Sequence, residues 1–257
     1  MKLFVTAIAS GSNGNCYYVG NEEEAVLIDA GISCREIEQR MRRLELSIKK
    51  VKAVFISHEH TDHIRGVHVL SKKYKIPIYI TPATLENAKL DVKNPYNIKL
   101  TSDVPVKIGG LEVLAFPKFH DARDPHSFII RYQGICVGVF TDIGIPCENV
   151  IRNFQCCNAI FLETNYDEIM LQEGNYPYYL KRRISGDKGH LSNQQALELL
   201  LRYRPSFMTH VFLSHLSQDN NNPKLVLDLF KKNAQNSEIV VTSRTSEIAL
   251  YEIKERS

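Results

Sequence analysis

The chain has 257 residues, 44% hydrophobic and 24% charged, with a formal net charge of +3. That composition is ordinary for a globular protein and excludes a disordered or fibrous chain. The charge is too small for a surface that is basic throughout, so any face for a polyanion must be local, and no apolar run approaches the ~18 residues of a membrane span.

The opening stretch MKLFVTAIAS has one lysine and a short apolar run, and further strand-like segments follow it directly. It is read as a first β-strand rather than a secretory signal. CYYVG and AVLIDAG are the next expected strands, and CREIEQRMRRLEL sets Ile37, Met41 and Leu44 at helical spacing. VKAVFIS is a strand, followed by a histidine cluster and a helix through IRGVHVLSKKY. PIYIT, LEVLAFP, SFIIRY and ICVGVFTD read as strands, with Gly109-Gly110 and Gln133-Gly134 as turns. The rest predicts strand NAIFLET, helix SNQQALELLLRYR, strand SFMTHVFLS, helix PKLVLDLFKK, then EIVV and EIALYEI.

No Ser-rich or Pro-rich linker interrupts this series, so a single domain over residues 1–257 is expected. Two halves of similar make-up suit two sheets packed face to face with helices outside. The six cysteines (16, 34, 136, 147, 156 and 157) lack CxxC spacing and read as reduced thiols of a cytoplasmic protein.

The hexad HEHTDH, His58 to His63, concentrates ligand-type side chains directly after a buried strand. Alternate residues of an extended loop point the same way, so His58 and His60 can converge. Asp62 and His63 then fall on a first helical turn, facing a second point nearby. Two adjacent metal ions suit this better than one. The motif HExxH fails because Asp62 stands where its second histidine belongs, which leaves Glu59 pointing elsewhere. The alternative is a polar helix cap with Thr61 as N-cap. Asp29, His120, Asp142 and His215 each follow a strand, where side chains from distant segments can meet at a sheet edge. Taken singly, each is as readily a turn residue.

In order, Asp29, the HxHxDH hexad, His120, Asp142 and His215 resemble the five motifs of the metallo-β-lactamase superfamily. The resemblance implies a four-layer αββα sandwich with a binuclear site at one edge. It implies that His58, His60 and His120 bind one metal, that Asp62, His63 and His215 bind the other, and that Asp142 bridges them. Asp29 would orient the site through hydrogen bonds. Imidazole-rich, thiolate-free ligation suits Zn, Mn or Fe.

Within the superfamily, no cysteine sits where the commonest β-lactamases use one. His60 stands where flavodiiron proteins carry Glu, and the 73 positions from Asp142 to His215 leave no room for a β-CASP insertion. SGSNGNC, HDARDP, TDIG, GHLSN and LSHLSQDNNNP are similar to the YycJ/WalJ/VicX branch. That likeness implies DNA exonuclease activity and a functional link to a bacterial two-component cell-wall regulator. Asn13 departs from the branch pattern, and His126 is an added histidine whose contact with the site is open.

GHLSN also resembles the RNase Z element whose histidine pairs with an acidic residue, here His190 with Glu163. Such a pair fits His190 to protonate a leaving alkoxide; the same stretch also reads as a helix start with Ser192 as cap. Between the two lies NYPYYLKRRISGDKGH, where Tyr178, Lys181, Arg182, Arg183 and Lys188 combine stacking faces with cations, as single-strand binders do. A solvated helix explains it equally. The turn Ser10 to Asn15 is either an anion nest or a hairpin, with Asn15 best placed to reach the metal edge.

The expected function is metal-assisted phosphodiester hydrolysis, most specifically by a DNA exonuclease, with Asp62, His190 and Glu163 as catalytic residues. The rivals are a small-molecule esterase or lactonase on the same metals and a catalytically silent regulator partner. The sequence leaves the oligomeric state open.

Overall fold

The computed structural model describes residues 1–233 and 237–255. Among them, β1 (Lys2–Ala9), β2 (Cys16–Gly20), β3 (Ala25–Ile28), β4 (Val51–Phe55), β5 (Ile78–Ile80) and β6 (Asn97–Lys99) belong to one sheet. The other is built from β7 (Val106–Ile108), β8 (Leu111–Pro117), β9 (His126–Tyr132), β10 (Ile135–Phe140), β11 (Ala159–Glu163), β12 (His210–Ser214) and β13 (Glu238–Val241). β14 (Tyr251–Lys254) returns to the first sheet and pairs with β1. The strand orders are β14-β1-β2-β3-β4-β5-β6 and β13-β12-β11-β10-β9-β8-β7.

The helices lie outside. They are α1 (Cys34–Arg43), α2 (Thr61–Ile64), α3 (Val67–Tyr74), α4 (Pro82–Asn87), α5 (Glu148–Phe154), α6 (Glu168–Glu173), α7 (Tyr178–Ile184), α8 (Asn193–Tyr203) and α9 (Pro223–Lys231). Three apolar layers follow from this order. Val5, Val26 and Phe55 of the first sheet meet Val113, Phe128 and Phe161 of the second in the central layer. Ile37, Met41 and Leu70 fill the layer under α1 and α3, and Val150, Leu200 and Phe230 fill the one under α5, α8 and α9. The fold is therefore the expected αββα sandwich. Inner strands such as AVLI and ICVGVF are buried along their whole length because both faces are covered. Each buried Phe contributes about 1.5–3 kcal/mol by leaving water.

Capping boxes start α1 at Ser33/Glu36 and α8 at Ser192/Gln195. The helix expected through 64–74 is instead broken between α2 and α3. Gly66 donates its N–H to Ala30 O at 2.8 Å, and a Cβ there would lie 2.1 Å from Ile32 O, so the chain must leave the helix to pack on that loop. Thr61 is not the N-cap; His60 occupies that position without a side-chain capping bond. β12 begins only at His210, because the residues before it turn through a Met208 N to Pro205 O bond.

Strand direction places the site. β3 and β4 are parallel, and so are β10, β11 and β12. β8 runs with β10, since both are antiparallel to β9. The C-terminal ends of β3 and β4 thus share one edge of their sheet and those of β8, β10, β11 and β12 one edge of theirs, and the grouping of His58 and His63 with Asp142 brings the two edges together.

Candidate metal centre

β3 delivers Asp29, whose backbone turns into the left-handed region at φ 62°. Its Oδ1 accepts from Ser57 N at 2.8 Å, and its Oδ2 from Ser57 Oγ at 2.8 Å and His63 Nδ1 at 2.7 Å. β4 delivers the hexad. His58 Nε2 stands 3.0 Å from His60 Nδ1, so the two rings converge as alternation along an extended loop requires. Helix α2 turns Asp62 and His63 toward a second point. Gly31 lets this loop approach, since a Cβ there would fall 1.6 Å from Asp62 O.

The far sheet supplies the rest. β10, β11 and β12 lie side by side in parallel register, so Asp142, Glu163 and His215 emerge next to one another, with Glu163 in the middle. Glu163 is fully buried and collects five donors. Its Oε1 accepts from Asp142 N (3.1 Å), His190 Nδ1 (2.9 Å) and His215 Nδ1 (2.9 Å). Its Oε2 accepts from Ile143 N (2.7 Å) and Leu191 N (3.0 Å). The expected pairing with His190 is thus present, and the same carboxylate also holds His215 and the Asp142 turn. Asp142 and His215 sit at φ 54° and 58°, which costs about 1–3 kcal/mol each and persists because Glu163 and Ser10, whose Oγ accepts from His215 N at 2.9 Å, fix both turns.

Ligand-type atoms gather into overlapping groups whose members all lie within 4.8 Å of one another. His58, His60 and His120 form one group, and Asp62, His63 and His215 another. Asp142 joins His58 and His63 in a third, and meets Glu163, His190 and His215 in a fourth. Hydrogen bonds at Nδ1 fix the free nitrogen of most rings. His58 Nδ1 contacts Ser57 Oγ (2.9 Å), His120 Nδ1 contacts Gly189 O (3.0 Å), and His63 and His215 point theirs at Asp29 and Glu163. Each therefore turns Nε2 inward, the arrangement that readies imidazole for a metal.

The electrostatics ask for a cation. Asp29, Asp142 and Glu163 are buried and Asp62 partly so, with one buried lysine beside them, Lys118, whose Nζ donates to Thr141 O at 2.6 Å. Burial pushes the Glu163 carboxyl up, but His190 and His215 outweigh it and hold it at about 2. Asp142 is likewise held well below the carboxylate range by surrounding histidines despite its burial. Burial lowers His58 and takes His120 down to about 4, leaving both neutral and ready to donate a lone pair. His215 is raised to about 10, since Asp142, Asp62 and Glu163 overcome its burial. His120 Nε2, His215 Nε2 and Asp142 Oδ2 are buried without a hydrogen-bond partner. Orphaned donors of this chemistry, aimed at one another, fit a divalent ion.

Asn15 reaches this edge: its Nδ2 stands 3.3 Å from Asp62 Oδ2 and 3.2 Å from His63 Nε2. Ser10 to Asn15 is a turn closed by Gly14 N to Gly11 O at 2.9 Å, with Gly11 N bound to Asn15 Oδ1 at 3.0 Å. Glu59 points away, accepting from Asn87 and from Arg123 N at 2.8 Å. His126 lies outside the centre, bonded to Asp124 O (2.9 Å) and Ser102 Oγ (3.1 Å). On α7, Tyr178, Lys181 and Arg182, with Ser185 just past its end, recur at helical spacing and line one cavity of about 660 Å³ with Tyr166 and Gln172. Arg183 projects from the opposite face and pairs with Asp121, next to His120, while Lys188 is exposed just before His190. Of the five candidate nucleic-acid-binding residues, Tyr178, Lys181 and Arg182 share one side of α7, Arg183 lies on the other, and Lys188 follows the helix.

Two polar residues at the centre escaped the sequence reading. Ser57 links Asp29, His58 and His63, and its place directly before the hexad was the available signal. Asn165 contacts His215 at Nδ1 (3.3 Å) and O (2.8 Å), and nothing in the stretch ETN marks it.

Residues 9–141 match the family described as "Metallo-beta-lactamase superfamily". The chain is 34% identical over 232 residues to "Exodeoxyribonuclease YycJ" of Bacillus anthracis, covering 88% of this chain and 86% of that protein. It is 30% identical over 223 residues to "Exodeoxyribonuclease WalJ" of Streptococcus pneumoniae serotype 2, covering 85% and 83%. The metallo-beta-lactamase fold protein YhfI from Bacillus subtilis has the same fold, with a TM-score of 0.73 at 17% identity over 98% of this chain and 100% of that one. With its donor cluster at the edge where the two sheets end, the chain belongs to the metallo-β-lactamase superfamily, in the YycJ/WalJ/VicX-like branch, and is a metal-dependent hydrolase.

Proposed function

We propose that the protein is a binuclear phosphodiesterase acting as a DNA exonuclease. The observation that carries this reading is the pair of ligand clusters, His58/His60/His120 and Asp62/His63/His215, that meet at Asp142. Two relatives that match most of the chain bear the name exodeoxyribonuclease, which supports DNA as the substrate.

In this reading His58, His60 and His120 would hold one divalent transition ion and Asp62, His63 and His215 another, with Asp142 within reach of both groups. Zn, Mn and Fe all suit the donors. When bound, such ions supply Lewis acidity, which acidifies water and offsets charge gathering on the phosphoryl oxygens. Asp62 and Asp142 would orient the attacking water by accepting hydrogen bonds from it. His190 keeps its Nδ1–H on Glu163 and presents Nε2 to the leaving oxygen, to which it delivers a proton. Asp29 and Glu163 hold His63 and His215 in the ligating tautomer, and Asn15 steadies Asp62.

The test is an assay of purified protein with Mn or Zn against end-labelled duplex DNA, single-stranded DNA, RNA and a panel of lactones. The expected result is stepwise release of nucleotides from DNA and no lactone opening. Lactone hydrolysis without nucleic-acid cleavage would move the assignment to the esterase reading.

A further inference from the structure

Arg244, in the turn after β13, lies beside the centre, and no motif pointed to it. Its Nη1 donates to Leu216 O at 3.2 Å, and Leu216 follows His215 directly. Its Nη2 donates to Gln218 Oε1 at 3.1 Å and to Asn13 Oδ1, two residues before the Asn15 that contacts Asp62 and His63. The side chain packs over Gly11, where a Cβ would lie 2.9 Å from Arg244 Cγ. It also borders a cleft of about 430 Å³ with Ser217, Thr242 and Ser243, so the guanidinium is open to a ligand.

These three acceptors, Leu216 O, Gln218 Oε1 and Asn13 Oδ1, are neutral oxygens. An arginine built for structure is commonly paired with a carboxylate, as Arg43 is with Glu247 and Arg183 with Asp121. Arg244 is instead aimed by two loops that each continue into the centre, the one after β12 and the Ser10–Asn15 turn. Arg183 occupies the flank beside His120 and is ion-paired with Asp121, whereas Arg244 makes no direct ion pair among the described residues; the nearest acid acting on it, Asp219, accepts from the Tyr176 hydroxyl.

Resting on the phosphodiesterase reading above, we propose that Arg244 is a specificity-determining residue that binds the phosphate neighbouring the scissile one, on the His215 side of the centre. Guanidinium is suited to this because its planar fork meets phosphate oxygens in pairs. A substrate with a single diester has no such phosphate and leaves Arg244 idle; a polynucleotide always supplies one. Arg244 thereby separates nucleic acids from small phosphodiesters without touching the reacting atoms.

Arg244→Gln tests this against wild type on two substrates, bis(p-nitrophenyl) phosphate and a single-stranded DNA oligonucleotide, across a salt series. The variant is expected to raise KM for the oligonucleotide by about 10- to 100-fold, with kcat within about twofold, and to leave the chromogenic diester unchanged. The slope of log KM against log salt should fall by about 0.7, the signature of one lost phosphate contact on a single strand. Arg244→Lys, which keeps the charge but not the fork, should fall between the two. An unchanged oligonucleotide KM and salt slope would overturn the assignment, as would an equal loss on both substrates, which marks a loop-holding role. A wild type that cleaves neither substrate overturns the phosphodiesterase reading itself, and this inference with it.

Discussion

Asp142→Ala is expected to reduce DNA hydrolysis by at least about 10³-fold, the equivalent of about 4 kcal/mol of transition-state stabilisation, and to lower the metal retained by the purified protein. Asp142 shares one group with His58 and His63 and another with His215, so its loss reaches both clusters. Alanine also strains a backbone held at φ 54°, which asparagine tolerates better. Asp142→Asn therefore separates the two effects. Its thermal midpoint should stay nearer wild type than that of Asp142→Ala, while its activity and metal content fall as far. If Asp142→Asn kept both activity and metal, the carboxylate would have no part in binding the ions.

His190→Ala is expected to slow release of a nucleotide, a poor leaving group, by about 10²- to 10⁴-fold. Hydrolysis of a p-nitrophenyl phosphodiester, whose leaving group needs no proton, should change little. Metal content should match wild type, because His190 belongs to neither of the two groups, His58/His60/His120 and Asp62/His63/His215, assigned to the ions. Glu163→Gln should lower both reactions, since Glu163 also holds His215 and the backbone at Asp142. Equal losses on both substrates in His190→Ala, or a lost ion, would make His190 a ligand rather than a proton donor.

The parts of the centre legible in the sequence are those whose chemistry is contiguous. His58 to His63 sit in six successive residues, and strand alternation followed by a helical turn is enough to aim them at two points. Asp29, Asp142 and His215 could be placed only at strand ends; what gathers them is the parallel register of strands distant in sequence, which the resemblance supplied and residue patterns did not. The wider role of Glu163 was hidden for the same reason, since its second partner, His215, is 52 positions away. The division of α7 was available from helical arithmetic, as Arg183 lies nearly opposite the stripe of Tyr178, Lys181 and Arg182. Arg244 carries no pattern of its own, and its place beside the centre depends on Asn13, 231 positions earlier. For the fold, long apolar runs such as KLFVTAIA and ICVGVF were readable. The three-residue strands β6 and β7 were not, because NIK and VKI are too short to display a period.

The most direct test of the binuclear centre is anomalous diffraction from crystals grown with Mn or Zn, with elemental analysis of the same preparation. Two ions per chain are predicted, one against His58, His60 and His120 and one against Asp62, His63 and His215, both touching Asp142. A single ion, or ions seated away from Asp142, would contradict the account.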